Sequence, residues 1–273
     1  MNKKIDFELG AIQETLLLPL TARVMESKKR NGIINDPKSL EVARNINFNY
    51  RELGRRMSEF GVFGLAARAY KFDIIIQDFL KEHPKGKILT LGAGLDTSYY
   101  RCDNGEALWF DLDLEDSLNL RQQLLPPPNE RVTYIKKSLF DISWMDDVGS
   151  AENGLLILVP GVFPYLEEKD IKNLIKISAK KLTGAKMVFD AVSHFGAFVI
   201  GQLIYASGMK DAHLRWKILE AKDIEKWSPN ISVTSEPFFK DISKLEGISI
   251  TNRQLIRLND LLLISQIIRL EFK

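Results

Sequence analysis

The run Leu91-Gly92-Ala93-Gly94-Leu95-Asp96-Thr97 sets two glycines one residue apart, directly after the apolar segment Lys87–Leu91. Glycine tolerates positive φ and carries no β-carbon, so a turn of this kind at a strand end lets a ligand approach the backbone closely. The spacing suits a nucleoside-type ligand better than a dinucleotide. A dinucleotide loop carries a third glycine three residues after the second, and position 97 is Thr97. Taken alone, Gly-x-Gly is also a plain strand-to-helix turn.

Other chemistry-bearing residues stand at ordered intervals after this loop. Asp111 and Asp113 close a second apolar run. A carboxylate there can accept hydrogen bonds from both hydroxyls of a ribose, and the other member of the pair can cap the helix that starts near Glu115. Asp141-Ile142, after a third run, offers a carboxylate to an adenine amine and an aliphatic side chain to its ring, or else forms a turn. His194, in Asp190-Ala-Val-Ser-His194, is the histidine best placed to take a proton from a bound hydroxyl. A structural or exposed role is its alternative. The aromatic residues Phe163, Tyr165, Phe195, Phe198, Tyr205 and Trp216 either wall an apolar pocket or belong to the core.

The elements that must position these groups alternate in type. From Ile12 to about Leu80 apolar residues recur at helical intervals, with breaks at Pro19, Gly32, Pro37 and Gly61. After His83-Pro84-Lys85-Gly86 the pattern changes to short apolar runs at Lys87–Leu91, Ala107–Asp111, Val132–Ile135, Gly154–Val159 and Lys186–Ala191. Helical stretches Glu115–Leu125 and Glu167–Lys181 separate some of them. Such alternation predicts an α/β fold, a mostly parallel sheet with helices on both faces. The expected organisation is one domain over 1–273, with a helical extension over 1–82 and a helical insertion near 194–227. His194–Ala206 reads as a helix and Lys222–Trp227 as a short one. Ser249–Ile256 and Leu261–Glu271 read as a pair of antiparallel strands turning at Asn259-Asp260.

Composition limits the partners. With 38 basic and 36 acidic residues the net charge is +2, too small a field to make nucleic acid the expected partner. One cysteine, Cys102, rules out an intrachain disulfide and a cysteine-based zinc site, so no metal is expected. Asp6, Glu8 and Gly10 interrupt the apolar stretch that a signal peptide needs, and no segment reads as a membrane span. A cytoplasmic protein acting on a small molecule is the expectation.

Ordered motifs extend the picture over most of the chain: Thr15-Leu-Leu-Leu-Pro-Leu-Thr-Ala-Arg23, Ile34-Asn-Asp36-Pro37, Ala67-Arg68 with Phe72-Asp73, the glycine loop, Asp111-Leu-Asp113, Asp141 with Trp144, and Gly161-Val-Phe-Pro-Tyr165-Leu166. In these the chain resembles the leucine carboxyl methyltransferases, especially their tetracenomycin-type polyketide O-methyltransferase branch. The resemblance implies a seven-stranded class I (Rossmann-like) methyltransferase fold that uses S-adenosylmethionine and releases S-adenosylhomocysteine. It implies that Arg68 pairs with the cofactor carboxylate and that Gly92, Ala93 and Gly94 pass beneath its methionine part. Asp111 or Asp113 would hold ribose, and Asp141 with Ile142 would meet adenine. Arg23 and Tyr165 would face the methyl acceptor, and Pro160-Gly161 would border the cofactor. The family usually has Glu-Gly where this chain has Pro160-Gly161, so one pocket carboxylate is missing.

The leading expectation is an O-methyltransferase acting on a small carboxylate or hydroxyl, with His194 as the base in the second case. The alternatives are a cofactor-binding protein without catalysis, motivated by Pro160, and a protein carboxyl methyltransferase. A nicotinamide-dependent oxidoreductase ranks last because of Thr97.

Overall fold

A computed structural model describes residues 4–7, 10, 13–242, 245 and 247–273. Ile12, where the expected helical segment begins, lies outside them. From Gln13 onward four helices follow: α1 (Leu17–Ser27), α2 (Pro37–Asn45), α3 (Tyr50–Arg56) and α4 (Ser58–Glu82). Asp36 starts α2 by accepting the Ser39 N–H at 2.9 Å, and Pro37 fixes the first helical φ.

The rest of the chain alternates β1 (Lys87–Leu91), α5 (Ser98–Cys102), β2 (Leu108–Asp113), α6 (Glu115–Leu124), β3 (Val132–Lys136), α7 (Trp144–Val148), β4 (Leu155–Val159), α8 (Glu168–Lys181), β5 (Lys186–Val192), α9 (His194–Ala206), β6 (Ile231–Pro237), α10 (Ile250–Leu261) and β7 (Ser265–Phe272). Among the described residues seven strands form one sheet in the order β3-β2-β1-β4-β5-β7-β6. β1 to β5 run parallel, and β7 is antiparallel to both of its neighbours. Alternate side chains feed two cores. Ile88, Leu156 and Leu158 pack with α1 and α4, whereas Leu89, Leu91, Ile157 and Val159 pack with Trp144 and α8.

One expectation is corrected. Ser249–Ile256 is not a strand paired with the last segment. Ile250–Leu261 is a helix that Ser249 caps by accepting the Asn252 N–H, and β7 pairs instead with β5 and with β6, a strand absent from the expected set. Asn259-Asp260 is accordingly no hairpin turn. Asn259 is buried and accepts the Ser265 hydroxyl at 3.2 Å, which ties the end of α10 to the start of β7.

β2 and β4 flank β1 on opposite sides, so the chain moves outward from β1 to β3 and then crosses back to the other side of β1 at β4. A crevice opens at such a point beyond the carboxyl ends of the strands. The glycine loop lies at its edge, and α1, α4 and α9 cover it.

Candidate active site

A cavity of about 450 Å³ occupies this crevice. Its floor is built from strand ends: Thr90 on β1 and Gly92 just after it, Asp113 at the end of β2, Pro160 and Gly161 after β4, and Asp190 and Val192 on β5.

The glycine loop is shaped by positive backbone angles, φ +73° at Gly92 and +46° at Gly94. A β-carbon on Gly92 would lie 2.5 Å from Val162 Cγ2, so both conformation and space require glycine there. The Gly92 and Ala93 N–H groups donate to the Leu112 carbonyl at 2.8 and 3.1 Å, and the Gly94 N–H donates to Asp113 Oδ2 at 2.7 Å. Asp113 also accepts the Leu114 N–H at 2.8 Å. Burial nevertheless holds its carboxyl above the ordinary range.

Asp111 and Asp113 lie on the same face of β2, but only Asp113 reaches the cavity wall. Asp111 is buried one step back and pairs with Arg121 at 2.6 Å. Arg121 also donates to the carbonyls of Gly94 and Asp96 at 3.1 and 2.6 Å, so Asp111 supports the loop from below through Arg121. Burial raises the Asp111 pKa against the pull of that guanidinium.

A charged cluster joins the N-terminal helices to the same loop. Fully buried Asp36 accepts Arg23 Nε at 3.1 Å, Arg101 Nη1 at 2.7 Å and the Thr97 hydroxyl at 2.5 Å. Burial alone would raise its pKa, but Arg101 and Arg23 prevail and hold it below the usual carboxylate range. Arg23 borders the cavity, yet its guanidinium is committed to Asp36, to Ser39 Oγ at 2.9 Å and to the Leu95 carbonyl at 2.7 Å. The geometry therefore gives Arg23 the task of clamping α1 to the glycine loop. Arg101 also grips Asp73 with two bonds of 2.6 and 2.8 Å.

Arg68 on α4, also on the cavity wall, faces Asp190 at 3.4 Å. Asp190 accepts the Gly161 N–H at 2.6 Å, and a β-carbon on Gly161, whose φ is +69°, would sit 2.2 Å from Arg68 Nη1. Pro160 and Tyr165 complete this wall. Burial raises the Tyr165 pKa, with Arg68 pulling the other way, and Tyr165 shares a side-chain hydrogen bond with Thr15.

Other expected residues stand elsewhere. Asp141 is exposed and accepts the Ser143 N–H at 3.1 Å, forming a turn, and Ile142 lines a separate small hollow with Asn173 and Leu174. In their place Ser138, Leu139 and Phe140 reach the cavity. His194 is exposed at the start of α9, outside the cavity wall. His83 and His213 are outside it too. Of the expected aromatic wall only Tyr165 lines the cavity. Phe163 and Trp216 are core residues, and Phe195, Phe198 and Tyr205 point outward from α9. The rest of the aromatic lining comes from Phe60 and Phe72 on α4, from Phe140, and from Phe238 and Phe239 after β6. No motif marks Phe60, Phe238 or Phe239, whereas Phe72 stands in the Phe72-Asp73 pair. Thr90 and Asp190 lie inside the strand runs of β1 and β5, where sequence spacing does not set them apart.

The leucine carboxyl methyltransferase profile matches residues 17–179, more than half of the chain. The chain belongs to the leucine carboxyl methyltransferase family. It is 28% identical over 251 residues to the tetracenomycin polyketide synthesis O-methyltransferase TcmP of Streptomyces glaucescens, covering 87% of this chain and 89% of that one. It is 27% identical over 248 residues to the S-adenosyl-L-methionine-dependent methyltransferase dpfgK of Gibberella zeae, covering 84% and 83%. The fold matches the crystal structure of a DUF574 family protein from Streptomyces avermitilis with a TM-score of 0.63, at 14% identity over 93% of this chain and 97% of that one. At Pro160, where the resemblance leads one to expect an acid, the chain has none, and Asp190 on β5 accepts the N–H of the next residue, Gly161.

Proposed function

We propose that this family member is an S-adenosylmethionine-dependent O-methyltransferase whose acceptor is an apolar small molecule bearing a carboxylate. The observation that carries the reading is a single cavity at the strand switch point, with the glycine turn, Asp113 and Arg68 at one end and an apolar wall at the other. The residues present fit an adenosyl amino acid. Thr90 Oγ1 is buried at the cavity with no hydrogen-bond partner among the described residues, so a bound polar group would satisfy it. Under this reading Gly92, Ala93 and Gly94 border the methionine part, Asp113 holds the ribose hydroxyls, Leu139 and Phe140 flank the adenine, and Arg68 meets the carboxylate.

When bound, the cofactor supplies a methyl group on a positively charged sulfur, open to in-line displacement. The chain's part is to align the two reactants and keep water out. Phe60, Leu65, Ile200, Leu203, Phe238 and Phe239 provide an apolar face for the acceptor, and the Gly61 and Gly64 positions on α4 leave room for it. A carboxylate is favoured over a hydroxyl because it reaches the site already ionised. All three histidines stand away from the cavity, and the acids on its wall are held by partners: Asp73 by Arg101, Asp96 by the Ser98 N–H, Asp113 by the Gly94 N–H and Asp190 by the Gly161 N–H. The likeness to TcmP, named for tetracenomycin polyketide synthesis, makes a polyketide-type acid the first candidate. Buried Cys102 fits a reducing, cytoplasmic setting.

Methyl-labelled S-adenosylmethionine offered with a panel of aromatic carboxylic acids and matched phenols tests this reading. The expected product is an ester whose label is released as methanol by mild base. Base-stable label on the phenols would replace the carboxylate assignment. Binding of the cofactor with transfer to nothing across the panel would favour a protein that has lost catalysis.

A further inference from the structure

Two arginine–aspartate pairs of this protein are held by paired hydrogen bonds. Arg101 grips Asp73 with two short hydrogen bonds, and Arg131 grips Asp103 with two more, at 2.6 and 2.7 Å. Arg68 and Asp190 differ. One bond of 3.4 Å joins them, at the outer limit of a hydrogen bond, and among the described residues the Arg68 guanidinium makes no other. Both side chains are largely withdrawn from solvent, with 15% and 11% of their surface exposed, and both line the cavity. A guanidinium has five N–H donors and a carboxylate about four acceptor positions. Most of that capacity remains open here, side by side and of opposite charge. An α-amino acid presents a carboxylate and an ammonium on one carbon, the complementary arrangement.

The backbone fixes the Asp190 side of this pair at the place where the family pattern is broken. Asp190 Oδ1 accepts the N–H of Gly161, the residue that follows Pro160. Proline at 160 brings no acid, and the carboxylate from the neighbouring strand β5 stands beside it, while Oδ2 faces Arg68.

We propose that Asp190 binds the α-ammonium of the cofactor's amino acid, in place of the acid absent at position 160, with Arg68 taking the adjoining α-carboxylate. The inference rests on the cofactor reading above and adds an anionic subsite to it. On binding, the loose Arg68–Asp190 contact is exchanged for two charge-assisted contacts to the ligand. Pro160 is then compatible with full cofactor affinity, because β5 supplies the negative charge.

Calorimetric titration with three ligands separates the possibilities. S-adenosylhomocysteine carries both charges, its deamino analogue keeps the carboxylate alone, and 5′-methylthioadenosine lacks the amino acid altogether. D190N is the informative variant because Asn can still accept the Gly161 N–H while losing the charge. D190N is expected to weaken S-adenosylhomocysteine about ten- to a hundredfold and to leave 5′-methylthioadenosine within about twofold. It should not weaken the deamino analogue. Unchanged S-adenosylhomocysteine affinity in D190N, or an equal loss for 5′-methylthioadenosine, would overturn the proposal. If D190N does not fold, the wild-type protein still decides: it should bind the deamino analogue at least about tenfold more weakly than S-adenosylhomocysteine, and equal affinities would refute an ammonium subsite. Wild-type protein that binds none of the three overturns the cofactor reading itself, a different result from selective indifference to the ammonium.

Discussion

Asp36→Asn removes one negative charge from the cluster that joins the N-terminal helices to the glycine loop. Asparagine keeps the side-chain oxygen that caps α2 through the Ser39 N–H, so the capping contribution of about 1 kcal/mol is retained. What is lost is the charge facing Arg23 at 3.1 Å and Arg101 at 2.7 Å. Removing one partner of a buried ion pair costs about 3–5 kcal/mol, because the other charge is left in a poorly solvated place. Arg101 retains its paired contact to Asp73, whereas Arg23 keeps only neutral oxygens from Ser39 and Leu95, so the lower end of that range applies. A loss of about 3 kcal/mol corresponds to a fall in melting temperature of roughly 6–12 °C for a chain of this size. Circular dichroism melts and urea unfolding of the wild type, D36N, R23M and the double variant measure it. The double variant is expected to lose less than the sum of the two singles, since removing Arg23 also removes the uncompensated charge. A melting temperature for D36N within about 1 °C of the wild type would refute the claim that this cluster clamps the helices to the loop.

Four further outcomes follow from the same geometry. Asp96 sits at a pKa of about 2, where burial is outweighed by Arg101, Arg23 and the Ser98 contact; its pKa is depressed on folding, so its contribution is present above about pH 4 and is lost as pH falls toward 2. Urea unfolding should therefore show the wild type more stable than D96N by on the order of 2 kcal/mol at pH 6 and equal to it near pH 2, and a pH-independent difference would contradict the assignment. His194→Ala should leave turnover within about twofold, since the side chain is exposed and off the cavity, whereas a loss of more than about tenfold would restore His194 as a base. Gly64→Ala places a β-carbon 3.8 Å from Phe239 Cζ in ordinary contact, so the helix should gain about 0.5–1 kcal/mol in a melt. Gly64→Leu should instead raise KM for a bulky acceptor without changing S-adenosylhomocysteine affinity, and a matching loss of cofactor affinity would show that the apolar end is not the acceptor site.

The parts of this fold that could be read in the sequence are those with local signals. β1, β3, β4 and β5 are short apolar runs bounded by turns, and their limits follow from composition to within one residue. α9 begins at a serine cap, Ser193, which accepts the Gly196 N–H at 3.1 Å. α10 was hidden because its outward face carries Ile250, Leu255, Leu258 and Leu261, leaving no clean polar side to mark helical spacing. β6 is short and ends in Pro237, so it has little pattern of its own and is specified by pairing with β7. At the site, the glycine loop and Arg68 were legible as motifs. Sequence spacing could not separate Asp111 from Asp113, because the difference lies in whether Arg121 from α6 reaches the carboxylate. Asp190 was invisible for the same reason: inside a β-strand run it is one more strand residue, and its meaning comes from Gly161 and Arg68, which only the folded sheet brings to it.

A crystal structure of the protein with S-adenosylhomocysteine tests the central claim most directly. The ligand should lie in the crevice beyond β1 and β4, with its ribose at Asp113, its adenine beside Leu139 and Phe140, and its amino acid between Arg68 and Asp190. Well-ordered ligand whose ribose contacts Asp111, or whose amino acid lies away from Arg68 and Asp190, would contradict it.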